Sequence, residues 1–98
     1  MKEYEFIKGL EKIIKENVTL SCGLKFYDDT EGVFSFTVIE TNDDIALWRL
    51  NEMLDTLKRR LYQNGVQSIY CTFGGFNEVN LRCHYLVDVD SEVIIDEG

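Results

Sequence analysis

The chain of 98 residues has the length of one domain, 1–98, and its 45% hydrophobic and 12% aromatic content suits a packed core rather than a disordered chain. It carries 18 acidic and 10 basic residues, a net charge of −8, whereas nucleic-acid-binding surfaces are basic. The composition therefore argues against direct nucleic-acid binding and against adhesion to an anionic membrane, and it favours a basic protein partner.

Residues 3–17 have the spacing of an amphipathic helix, with an apolar stripe opposite charged side chains. The segment lacks the apolar centre of a signal peptide, and no run approaches the ~20 apolar residues of a membrane span. Three cysteines without framework spacing are typical of reduced thiols. We therefore expect a cytoplasmic protein.

A first β-hairpin is predicted by the next segments. Residues 19–27 alternate between apolar and polar, "DDTEG" at 28–32 predicts a turn with Gly32 at positive φ, and 33–40 form the returning strand. The expected register pairs Phe26 with Phe34, Leu24 with Phe36 and Cys22 with Val38.

Residues 43–63 are predicted to form a second helix. "TND" at 41–43 offers cap-type side chains, and Asn64-Gly65 ends the helix. Trp48 is expected at the margin of the apolar stripe as a half-buried core residue; the alternative is an anchor for a partner. The predicted stripe contains Ala46, Leu47, Leu50, Met53, Leu54, Leu57 and Leu61.

Residues 66–73 and 80–90 predict a second hairpin, with Phe73 opposite Leu81 and Cys71 opposite Cys83. The expected fold class is α+β in the order α-β-β-α-β-β, a four-stranded antiparallel sheet with two helices packed on one face. Residues 91–98 form either a short edge strand or a flexible tail. This order is related to that of secretion-chaperone-like domains, although no motif links the chain to them.

Cysteine and histidine residues lie on both sides of a glycine-rich bend and suggest a metal site. Strand alternation places Cys71 and Cys83 inward and His84 outward, and paired C-x2-C spacing is missing. We interpret the cysteines as core residues, with zinc binding or a redox pair as alternatives, and we expect no metal and no cofactor. No nucleophile is expected beside His84, which argues against catalysis.

Acidic residues are concentrated in two stretches that no lysine or arginine interrupts. Such single-sign stretches suit docking on a basic groove, or they guard strand edges and maintain solubility. The predicted partner-binding acids are Asp28, Asp29, Glu31, Glu40, Asp43 and Asp44 in the first stretch, and Asp88, Asp90 and Glu92 in the second.

The outward face of the sheet is expected to be unusually apolar for a face that no helix covers. Tyr27 and Tyr70 are its predicted contact residues, since tyrosine is enriched at interfaces. The face is also expected to carry Val33, Ile39, Arg82, His84 and Leu86. It is a candidate contact or dimer surface, unless the tail folds over it.

These features favour a small, non-enzymatic protein-binding module. Its sharpest form is an inhibitor that imitates nucleic acid and docks on a basic groove, as phage anti-defence or anti-CRISPR-like proteins can. The alternative is a homodimeric, secretion-chaperone-like adaptor that uses the open sheet face. An enzyme with a carboxylate site ranks last, because the sequence shows no convergent catalytic constellation.

Overall fold

The computed structural model describes residues 3–18, 21–27 and 30–86, so the predicted tail at 91–98 lies outside the described residues. The predicted α+β class and element order are confirmed. The elements are α1 (Glu3–Asn17), β1 (Cys22–Phe26), β2 (Val33–Glu40), α2 (Ala46–Gln63), β3 (Val66–Phe73) and β4 (Glu78–Tyr85). Within the described ranges, no helix is both long and apolar enough to cross a bilayer.

The four strands form one antiparallel sheet in the order β1-β2-β4-β3. The returning strands of the two hairpins are therefore the central strands, and β1 and β3 are the edges. Side chains from both helices pack with the inner face of this sheet. Neither of the two described helices covers the other face, here called the outer face. The fully buried centre includes Leu10, Ile14, Leu50, Leu57, Phe36 and Leu81.

The predicted register of the first hairpin is wrong by two residues. Tyr27 donates its N–H to the carbonyl of Ser35, where the prediction placed Val33 opposite Tyr27. The turn extends to Val33, whose N–H donates to Thr30, with Gly32 at a φ of 84° as expected. The observed pairs are Phe26 with Phe36, Leu24 with Val38 and Cys22 with Glu40. Because side chains alternate with a period of two, each one keeps its predicted face.

The second hairpin shows the same two-residue error. Its strand β4 starts at Glu78, before the predicted residue 80, because a short bend closed by the N–H of Gly74 on the carbonyl of Glu78 joins the strands. Cys71 is therefore not opposite Cys83. The observed pairs are Phe73 with Val79, Cys71 with Leu81 and Ile69 with Cys83.

Helix α2 begins later than predicted. Its first residues do not include Asp43 and Asp44, because Asn42 organises a separate turn: its side-chain oxygen accepts the N–H of Asp44 and its carbonyl accepts the N–H of Ile45. The predicted burial of two side chains near this start is also wrong. Leu47 is 49% exposed and Trp48 is 63% exposed.

The end of α2 brings the two helices together. Gly65 has a φ of 108°, a value that side chains beyond glycine rarely adopt. A Cβ at this position would lie 2.8 Å from the ring of Phe6 on α1. The phenyl ring of Phe6 therefore uses the space that glycine leaves open, and it also packs 4.9 Å from the ring of Tyr85.

Candidate functional site

The outer face contains a shallow groove of about 740 Å³, here called the outer groove. Strand pairing builds it from rows of residues that run across the sheet. One row joins Lys25, Thr37, Asn80 and Thr72, and the adjacent row contains Ser35, Arg82 and Tyr70. Small polar side chains thus form the floor, while the exposed rings of Tyr27 and Tyr70 rise on either side.

A chain of hydrogen bonds fixes the floor. The Thr37 hydroxyl donates to Oδ1 of Asn80 at 2.5 Å, so it accepts the hydroxyl proton of Tyr27 at 3.0 Å. Thr37 is buried although it is polar and on the outer face. Its two partners satisfy the hydroxyl, which removes the cost of burying it. The amide of Asn80 is thereby oriented, with its N–H₂ group as the donor end.

The β3 side of the groove is basic and aromatic. The ring of Tyr70 contacts the imidazole of His84 edge-on, with ring centroids 5.5 Å apart, and Arg82 is the cross-strand neighbour of Tyr70. On the opposite side, the ammonium of Lys25 lies 5.1 Å from the centre of the Tyr27 ring. Among the described residues, no carboxylate lines the groove. A chain with a net charge of −8 therefore presents a locally basic surface.

The side chains of the outer groove include groups that can contact a carboxylate. A guanidinium offers paired N–H donors that match a carboxylate, and tyrosine rings supply rigid contact area. The groove is open to solvent, with short polar side chains on its floor and the rings of Tyr27 and Tyr70 at its sides.

The residues predicted to bind a partner do not form one surface in the described part of the chain. Glu31, Asp43 and Asp44 are exposed, as a docking surface requires. Five further predicted residues lie outside the described residues: Asp28, Asp29, Asp88, Asp90 and Glu92. The predicted contact residues Tyr27 and Tyr70 are both exposed and both line the outer groove.

Glu40 does not belong to an acidic surface, which corrects the prediction for this residue. Its side chain is fully buried at the end of β2, and its carboxylate pairs with Arg49 of α2. Burial alone raises a carboxyl pKa, but the backbone N–H of Asn42, the hydroxyl of Ser21 and the charge of Arg49 oppose it. The pKa of Glu40 is lowered as a result, and the carboxylate is a structural ion.

The start of α2 forms a second exposed feature. Asp43 and Asp44 lie in the turn before the helix, and Trp48 follows within the first helical turn. An exposed tryptophan is an unusual surface residue and a frequent anchor at interfaces. This feature combines negative charge with an aromatic side chain, whereas the outer groove combines positive charge with aromatic side chains.

The cysteines are thiols on the inner side of the sheet, and His84 is on the outer face. Cys83 is fully buried, and its burial, with a smaller effect from neighbouring Cys71, raises its pKa to about 12. Burial also raises the pKa of Cys71, although the charge of Lys58 opposes the shift. In the described part of the chain, no group of three or more His, Cys, Asp or Glu residues could hold a metal ion.

Two residues of the groove floor, Thr37 and Asn80, were not singled out from the sequence. Alternation places Arg82 and His84 on the outward face, but it does not show that no acid lies beside them. Asn80 and Thr37 come together through the β2–β4 pairing, which joins strands from different hairpins. The order of the strands, which the local pattern does not encode, was the missing information.

Comparison of the chain with protein-family models, with curated proteins and with solved structures finds no match.

Proposed function

We propose that the chain is a non-enzymatic protein-binding module whose outer groove holds an extended, acidic segment of a partner protein. The single observation that carries this proposal is the composition of the groove: Arg82 and His84 beside exposed tyrosine rings, with no carboxylate among the described lining residues. In a chain with 18 acidic and 10 basic residues, this local reversal of charge concentrates the attraction for an anion at one place.

The floor supports binding of a backbone as well as of charge. The network of Tyr27, Thr37 and Asn80 fixes the position of polar groups along the groove. A fixed floor loses little conformational entropy on binding, which favours affinity. Asn80 and Arg82 project from the same face of β4, two residues apart, and this repeat matches the spacing of alternate residues in an extended peptide.

The homodimeric adaptor hypothesis is less well supported for this same surface. Two copies meeting through their outer faces would bring the Arg82 guanidinium of each copy into the same interface. Like charges brought together across an interface cost several kcal/mol in unfavourable cases, about the size of a binding hot spot. A partner with carboxylates is the better electrostatic match.

Selection from a random peptide-display library tests the proposal while the partner is still unidentified. The native chain should enrich sequences with alternating Asp or Glu, and their binding should weaken as salt rises. Arg82→Glu should abolish the enrichment. Arg60→Glu, the matched reversal at an exposed position near the end of α2, should retain it. Enrichment of basic peptides, or equal binding by both variants, would overturn the assignment.

A second candidate, a module that docks on a basic groove and imitates nucleic acid, rests on the start of α2. Asp43 and Asp44 are exposed beside the 63% exposed Trp48. Its signature differs from that of the outer groove: Trp48→Ala and the double reversal of both aspartates to lysine should weaken partner binding, and Arg82→Glu should not. Binding of a basic partner that survives both changes at α2 would eliminate it.

A further inference from the structure

The two edges of the sheet differ in how they are protected against pairing with another strand. The edge strand β1 has five residues, and Lys25 lies near its end. The other edge strand, β3, has eight residues, with neither a charge nor a proline in "VQSIYCTF". Proteins commonly guard sheet edges with lysine, proline or short strands, since an open edge is a template for pairing. A register irregularity between Val66 and Ser68 disturbs the start of β3, and from Ser68 to Phe73 the strand has none of these protections.

The pairing with β4 defines which backbone groups of β3 point away from the sheet. The N–H of Gly74 donates to the carbonyl of Glu78 on the β4 side. Hydrogen-bonded positions alternate along an antiparallel pair, so Ser68, Tyr70 and Thr72 also direct their backbone groups to β4. The N–H and C=O groups of Ile69, Cys71 and Phe73 therefore point to the open edge, where no described strand pairs with them.

Side chains along this edge are uncharged and only partly covered. Phe73 is 44% exposed, Tyr70 is 63% exposed, and Ile69 and Cys71 are half-buried at the margin of the core. Two copies of a chain with a net charge of −8 repel one another, and an uncharged contact surface adds nothing to this repulsion. The side chains of β3 itself carry no charge, and Lys58 of α2 is a charged neighbour of Cys71.

We infer that two copies of this chain pair through their β3 strands, antiparallel about a two-fold axis, to form one continuous eight-stranded sheet. The three outward-directed residues are spaced symmetrically about Cys71. Pairing centred there places Cys71 opposite Cys71 of the second copy and Ile69 opposite Phe73, and it satisfies all the outward-directed groups at once. The two outer grooves then lie on the same face of the combined sheet.

This geometry makes a specific cross-link possible. Opposed residues of a hydrogen-bonded antiparallel pair have Cα atoms about 5.5 Å apart, within the range of roughly 4.4–6.8 Å that a disulfide spans. Diamide, which takes up the two thiol hydrogens, should convert the native chain to a covalent dimer. Cys22→Ser should still cross-link, whereas Cys71→Ser should not. Cross-linking that instead requires Cys22 would overturn the inference.

Sedimentation of the reduced chain tests the pairing itself. The native chain should be dimeric, and Cys71→Pro, which removes an N–H directed to the open edge, should give a folded monomer. Thr72→Lys provides an independent test at an exposed position, and it should raise the dimer dissociation constant roughly tenfold or more by charging the edge. Thr56→Lys, the same change on an exposed position of α2, is the control and should leave the dimer intact. A native monomer would contradict β3 pairing, and so would a monomer in which residues 87–98 cover the edge. A dimer that Thr72→Lys leaves unchanged would also contradict it.

Discussion

Arg49 on α2 and Glu40 at the end of β2 form an ion pair in which Nε lies 2.5 Å from Oε2. Glu40 is fully buried, whereas the Arg49 side chain is 32% exposed. The pair ties the start of α2 to a central strand of the sheet. The Glu40 carboxylate is therefore a buried charge, and it loses its cationic partner if Arg49 is removed.

Arg49→Met should therefore destabilise the fold by about 1–3 kcal/mol, at or below the usual range for breaking a buried pair because the arginine is partly solvated. The double variant Glu40→Gln with Arg49→Met should recover part of this loss, since it removes the buried charge as well. Urea denaturation of the two single variants and the double variant measures the coupling. Additive losses would show that the two side chains do not interact.

Acid should weaken the fold through the same carboxyl group. The pKa of Glu40 in the folded chain is lowered from its ordinary value of 4.5. The unfolded chain thus takes up the proton first as the pH falls, so this contribution to stability is present above 4.5 and is lost as the pH falls through the folded pKa. Chemical denaturation between about pH 6 and about pH 3 should show that the free energy of unfolding falls less for Glu40→Gln than for the native chain. Parallel profiles would contradict the assignment.

The signal for the burial of Glu40 is present in the sequence. Phe34, Phe36 and Val38 face inward, and the alternation continues to Glu40. Its partner Arg49 is on the following helix, and local periodicity does not indicate which charges meet across elements. The faces of the strands could be predicted because they depend only on a period of two. The registers of the two hairpins could not be predicted, because they depend on the number of residues in each turn.

Gly65→Ala should destabilise the fold by at least about 2 kcal/mol, from the strain of a side chain at positive φ and from the displacement of Phe6. Gly9→Ala is the matched control in α1, since nothing lies within 4 Å of a Cβ there. It should stabilise the fold by roughly 0.5–1 kcal/mol, as alanine replaces glycine in a helix. Thermal melting of both variants measures the contrast. Equal effects would show that Phe6 does not pack against Gly65.

Cys83 should be unreactive towards a thiol reagent in the folded chain. Its pKa is raised to about 12 and it is fully buried, so very little thiolate exists at neutral pH. Labelling at about pH 7, followed by mass spectrometry, should modify the partly exposed Cys22 and Cys71 well before Cys83. Cys83→Ala should cost about 1–2 kcal/mol of stability through lost burial. Rapid modification of native Cys83 would contradict its position in the core.

The outer groove could be predicted only in part. Alternation identifies Tyr27 and Tyr70 as outward residues, and both line the groove. The basic character of the groove depends on where the acidic side chains lie in the folded chain. Glu40 is buried, and Asp43 and Asp44 belong to the turn before α2. Composition alone favours a basic partner, whereas the folded arrangement separates an acidic turn from a basic groove.

The most direct test of the outer groove as the binding site is an NMR titration of the ¹⁵N-labelled chain with an acidic peptide obtained from the display selection. The largest amide shift changes should fall on Thr37, Asn80, Arg82 and Tyr70, with little change along α2. A side-chain signal from the Asn80 amide should move with them, since Asn80 lines the groove. Shift changes concentrated at Asp43, Asp44 and Trp48, with the sheet unchanged, would contradict the proposal and would move the binding site to the start of α2.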